Sequence, residues 1–182
     1  FVDAKLFPGC ANPKDFFRKA VRRAISLGFG MKIIRADSAF MTLGNLLFMT
    51  ELSLGYAVGA PANSDAVKEG IAAFRTLARM NSSRIIHITK GIAILDIGWI
   101  TLANGISTRV VVIRRISRKR KNGRLRINTY YYAIASNLGL SARKLYAFYH
   151  KRQCIEAGFR ELKNHYNLER LPFGTPEANE FW

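Results

Sequence analysis

Met31-Lys32-Ile33-Ile34-Arg35-Ala36-Asp37-Ser38 is the stretch on which the reading of the fold turns. Met31 to Ala36 reads as a short strand, and Gly28 and Gly30 break the chain before it. Thr42 to Leu54 is apolar enough for a helix, and Gly55 to Ala60 reads as the next strand, closed by Pro61. Upstream, Phe1 to Phe7 alternates apolar and polar residues and reads as a strand ended by Pro8-Gly9. Asn12 can cap a helix with Pro13 at its first position, and Phe16, Phe17, Ala20, Val21, Ala24 and Leu27 form its apolar stripe. Strand, helix, strand, helix, strand predicts an α/β fold with at least part of the sheet parallel. Asp37 then falls at the carboxyl end of a strand, where open α/β sheets place ligand-binding groups.

The second half differs in character. Ser64 is placed to cap a helix running to about Met80, and β-prone runs follow at 84–89, 92–102 and 108–117. A basic loop, 118–124, contains the hairpin signal Asn122-Gly123 and leads into a strand at 127–135. The segment 62–125 therefore reads as a β-rich insertion between core segments 1–61 and 126–182. Tyr56 and Trp99 read as core aromatics, with stacking on a displaced base as their other use.

The partner is written in the charge. Lys and Arg outnumber Asp and Glu by 29 to 12, a net charge of +17. The cations cluster at 14–23, 109–126 and 143–170, as expected for a groove that holds a polyanion. Two cysteines, Cys10 and Cys154, give no disulfide framework and fit a reducing, cytoplasmic setting. Three histidines lack zinc spacing, and no apolar run approaches the roughly 20 residues of a membrane span.

A helix predicted from Ser141 to Tyr166 carries the most informative polar face. Tyr149, Arg152, Glu156 and Lys163 recur at steps of three, four and seven. At about 3.6 residues per turn they share an arc of about 60°, beside an apolar arc of Phe148, Ile155, Phe159, Leu162 and Tyr166. A carboxylate flanked by cations suits a metal ion held next to a phosphate. Among the few other acids, Asp15 and Asp65 sit in the first turns of helices, Asp96 is expected to face solvent, and Asp3 lies early on its strand. Arg35 is expected to pair with a nearby carboxylate. Asp37 at a strand end and Glu156 on the helix are the acids that stand out together. Alone, the first reads as a turn former and the second as a helix carboxylate paired with Arg152 or Arg160.

These residues resemble the bacterial insertion-sequence DDE transposases marked by a Tyr-Arg-Glu-Lys signature. Tyr149, Arg152, Glu156 and Lys163 match its spacing, and Ile34 to Phe40 looks like the strand that bears the family's second catalytic Asp. The resemblance implies a ribonuclease H-like, retroviral-integrase-like core with a mixed sheet, interrupted by a β-rich insertion between that Asp and the Glu. It implies DNA cleavage and strand transfer with two divalent metal ions, Mg2+ with Mn2+ as substitute, held by Asp37 and Glu156. It implies DNA contacts from Tyr149, Arg152 and Lys163, a homodimer at paired transposon ends, and a nucleoid-associated cytoplasmic protein. The family's first Asp is expected upstream of Phe1, so this chain alone is expected to be inactive. A non-catalytic basic nucleic-acid-binding protein descended from a transposase, or a ribonuclease H-like nuclease, are the other readings of the same residues.

Overall fold

The computed structural model describes residues 14–61, 63–102, 105–121 and 124–151. The predicted strand at Phe1 to Phe7, the Asn12 cap, and Arg152, Glu156 and Lys163 lie outside the described residues. Residues 32–149 form one compact unit, and helix α1, Lys14–Ser26, belongs to another.

Taken by itself, α1 buries Val21 and Ala24, while Leu27, expected on the same stripe, is 58% exposed. The difference has a local cause, because Leu27 is already the capping residue. Phe29 N–H donates to Ala24 O and Gly28 N–H to Ile25 O, with Gly28 at φ +81°. This paired closure needs the left-handed conformation that glycine adopts without steric cost.

The larger unit is built on one six-stranded sheet. Its strands are β1 (Ile33–Ala36), β2 (Gly55–Ala60), β3 (Ile85–Thr89), β4 (Ile92–Thr101), β5 (Ser107–Lys121) and β6 (Arg124–Ser136), in the order β1-β2-β6-β5-β4-β3. β1 and β2 are parallel, as the strand–helix–strand reading predicts, and every other pair is antiparallel. Helix α2, Leu43–Glu51, makes the crossover between β1 and β2, with the Thr42 hydroxyl accepting from Asn45 N–H at 3.2 Å. The β-rich segment 62–125 thus contributes β3, β4 and β5 to the same sheet as the core strands.

Two helices bury the two faces. Helix α3, Asp65–Arg79, places Val67 and Phe74 in one core with Ala60, Ala93, Leu95, Val110, Val112, Ala133 and Ala135. Helix α4, Ala142–His150, places Ala142, Leu145, Tyr146 and Tyr149 in a second core with Ala57, Ile94, Val111, Ile113 and Ile134. The alternation along β5 and β6 is the period-2 pattern of a sheet covered on both sides. β2 lies inside the sheet, and Tyr56, Ala57 and Val58 are fully buried.

Three expectations are corrected here. The basic stretch 118–124 is strand on both sides of its turn, with Arg118 paired to Ile127 and Lys121 to Arg124. Asp96 is not a free surface acid: half-buried, its carboxylate accepts from Arg109 Nε at 3.1 Å and from Nη2, and Gly98 N–H donates to it at 3.0 Å across a bulge in β4. The Asp96 hydrogen bonds hold the Arg109 guanidinium above the ordinary arginine pKa, against the opposing effect of burial. Trp99 is 57% exposed, whereas Tyr56 is core as expected.

Candidate active site

The site is organised by the carboxyl end of β1. Ala36 is the last buried residue of that strand, and Asp37 follows in extended conformation, capping a short 3-10 turn, Ser38–Phe40. Its carboxylate accepts from Ser38 N–H at 2.6 Å. That bond fixes the side chain at the sheet rim, and Asp37 remains exposed. A carboxylate in this position can present hard oxygen ligands to whatever binds at the end of the sheet.

Helix α4 is aimed at the same rim. Ser141 starts it, its carbonyl accepting from Leu145 N–H at 2.8 Å and its hydroxyl from Lys144 N–H at 3.4 Å. The buried residues Ala142, Leu145, Tyr146 and Tyr149 fall at i, i+3, i+4 and i+7, one stripe of a helix. Tyr149 therefore lies on the buried stripe and is 9% exposed. Its hydroxyl donates to Ala36 O at 3.4 Å, directly before Asp37. The ring thus props the strand end from beneath.

Gly59 makes room for that hydroxyl. A β-carbon at Gly59 would stand 2.8 Å from the Tyr149 hydroxyl, 3.1 Å from Ser38 N and 3.3 Å from Ser38 Cβ. A glycine inside a strand often marks a close approach of this kind, so the interrupted run Tyr56 to Ala60 held a signal that the sequence reading did not use.

Arg35 ties the two elements together. Its Nη1 donates to Phe148 O at 2.9 Å, and its guanidinium sits 4.9 Å from the centroid of the Phe148 ring. Among the described residues the partners of Arg35 are thus a late carbonyl of α4 and an aromatic face, where a carboxylate was expected. Arg35→Ala should lower stability by about 1.5–3 kcal/mol, the usual worth of a hydrogen bond to a charged group. Arg35→Lys should recover less than half of that, since an ammonium lacks the planar fork that stacks and donates together. Urea denaturation of the three proteins measures both.

On the flank of α4, burial pushes the phenols of Tyr132 and Tyr146 up from their ordinary pKa. Both stay protonated through the neutral range, so these core phenols add no pH dependence to the α4 packing there.

Of the residues expected to form the site, Asp37 and Tyr149 are brought to one rim. Arg152, Glu156 and Lys163 lie outside the described residues. Among the described residues, no group of three or more His, Cys, Asp or Glu side chains is gathered to hold a metal ion. The Asp37 carboxylate is of the hard-oxygen type that divalent cations favour.

Among the described residues no helix is long and apolar enough to cross a membrane. No curated protein matches the chain. The model of the transposase DDE domain family matches residues 1–182, and the mixed six-stranded sheet between helices is consistent with the ribonuclease H-like fold of such domains. Proteins of this family act on DNA and generally use divalent metal ions. By a match that spans its whole length, the chain belongs to the transposase DDE domain family, whose role is DNA transposition.

Proposed function

We infer that this domain serves DNA strand cleavage and transfer at transposon ends, contributing two of the carboxylates that the reaction needs, with the reacting phosphate held over the carboxyl end of β1. One observation carries the reading: the buried stripe of α4 delivers Tyr149 to the carbonyl that precedes Asp37. Helical periodicity in the sequence sets Glu156 seven residues after Tyr149, two turns along the same stripe. That shared helical face in the sequence is what supports Glu156 as the second carboxylate of the site.

Asp37 and Glu156 are the residues that would hold divalent cations, Mg2+ by preference with Mn2+ as substitute. When bound, two such ions stabilise the attacking and the leaving oxygens of an in-line displacement at phosphorus. The chain's own cations do the rest. Arg152 and Lys163 bind non-bridging phosphate oxygens by charge-assisted hydrogen bonds and fix the backbone next to the cut. Tyr149 and Arg35 act from below, holding β1 and α4 in register so that the two carboxylates meet. For Tyr149, burial and the bond to Ala36 O favour this supporting role over direct contact with DNA.

Calorimetric titration with Mn2+ tests the reading. The wild-type chain should give a saturable heat that Glu156→Gln weakens at least tenfold, with the circular-dichroism spectrum unchanged. A heat indifferent to Glu156→Gln, alongside intact DNA binding, would instead identify a basic DNA-binding protein without this metal site. The same carboxylates serve joining as well as cutting, and a paired-end complex, expected to be a homodimer, is where joining takes place.

A further inference from the structure

The basic stretch between β5 and β6 is a projecting arm. β2 leaves β6 at the pair Ala60–Ala133, and β4 leaves β5 at Ile92–Arg115, with Gly91 O taking the Ile116 N–H. From Ser117–Asn128 to Lys121–Arg124 the two strands pair only with each other among the described residues. Segment 117–128 contains Arg118, Lys119, Arg120, Lys121, Arg124 and Arg126, and no Asp or Glu.

Register gives the arm two unlike faces. Residues directly opposite each other share a face, so Ser117 and Asn128 lie with Lys119 and Arg126. This polar, cationic face continues into Arg115 and Tyr130 and then into Ile113 and Tyr132, on the α4 side of the sheet. The opposite face pairs Arg118 with Ile127 and Arg120 with Leu125, and leads to the α3 side. Leu125 and Ile127 are 59% and 58% exposed.

Direction matters as much as charge. β6 runs antiparallel to β2, so the carboxyl ends of β1 and β2 point toward the arm. Gly59, beside Ser38, is level with Ile134. From Ile134 the strand continues to Arg124, about 33 Å at roughly 3.3 Å per residue. That is close to one turn of duplex DNA. Lys119 directly opposite Arg126 is a like-charge pair that weakens an isolated ribbon. The fold gives no reason for it, and a polyanion lying on that face would remove the repulsion.

We propose that the arm is a duplex-binding ribbon whose Lys119–Arg126 face takes the DNA phosphates within about one helical turn of the phosphate at Asp37. A two-stranded ribbon has the width to enter a major groove of about 12 Å. The proposal rests on the reading of the Asp37 rim as the reaction site for its distance along the DNA, though not for its affinity.

The test compares two double variants that each remove two charges, Lys119→Ser with Arg126→Ser and Arg118→Ser with Arg120→Ser. Binding of the 182-residue chain to a random-sequence duplex of four helical turns is measured against salt. Each phosphate contact contributes about −0.9 to the slope of log K on log salt, so the first variant should be shallower by about 1.8. The second should change by less than half as much. Equal changes in the two variants, or no change in the first, would overturn the ribbon. Mn2+ heat retained in the first variant separates this outcome from failure of the metal site. Should Glu156→Gln leave that heat unaltered while the slopes differ as stated, the metal reading falls and the ribbon stands.

Discussion

Tyr149→Ala should cost the domain about 3–4 kcal/mol, in the range of aromatic truncations in a core. The ring is 9% exposed and packs in the cluster that holds α4 on the sheet, with Ala57, Ile94, Val111, Ile113 and Ile134. Its removal leaves a cavity under the end of β1 and deprives Ala36 O of a donor. Tyr149→Phe keeps the ring and removes the hydroxyl with its 3.4 Å bond to Ala36 O, so it should cost about 0.5–1.5 kcal/mol, well below the alanine variant. For a chain of this size each kcal/mol moves the midpoint by about 2–4 °C, so Tyr149→Ala should melt about 10 °C lower than wild type. Equal losses from the two substitutions would show that the hydroxyl, and not the ring, carries the contact.

Gly59→Ala is the second large effect, and it acts through the same atom. The added carbon meets the Tyr149 hydroxyl at 2.8 Å and Ser38 N at 3.1 Å. Such overpacking typically costs about 1–3 kcal/mol. The tyrosine tip would be a cheap obstacle if it could swing away, but its ring is held by the α4 core. Relief has to come from the 3-10 turn at Ser38, which displaces Asp37. Both stability and Mn2+ affinity should therefore fall. Adding Tyr149→Phe removes the closest obstacle and should restore at least half of the lost stability. If the double variant is no better than the sum of the single ones, the hydroxyl is not what fills the space at Gly59.

The parts of the fold legible in the sequence were those set by local chemistry. The run Gly55 to Ala60 bounded by Pro61 and the Gly28 stop depend on neighbours within a few residues, and the structure has them where expected. What escaped depends on residues far apart in sequence. The donor on Arg35 and its acceptor on Phe148 are 113 positions apart, and Asp96 meets Arg109 only because β4 and β5 pair. The charged stretch 118–121 was read as loop because Lys and Arg have weak strand preference. A two-stranded ribbon with both faces open to water imposes little burial, so cross-strand hydrogen bonds decide there. Trp99 was expected in the core by the rule that β-prone aromatics are buried, whereas it is 57% exposed.

The site divides along the same line. The place of Asp37 at a strand end was legible because the end of a short strand is a local feature, and Asp37 does follow β1 directly. That Tyr149 faces inward was not, because the apolar arc drawn over the whole predicted helix was weighted by residues after Phe148. In the described part, Leu145, Tyr146 and Ala142 set the buried side, and Tyr149 lies among them.

Joint ligation of one metal site by Asp37 and Glu156 is tested most directly by a double-mutant cycle on Mn2+ affinity, measured by calorimetry on wild type, Asp37→Asn, Glu156→Gln and the double variant. If both carboxylates hold the same site, each single substitution should weaken binding at least tenfold, and the double variant should lose little beyond the worse single one. Losses that simply add, or an Asp37→Asn chain that binds Mn2+ as wild type does, would contradict a shared site at the end of β1.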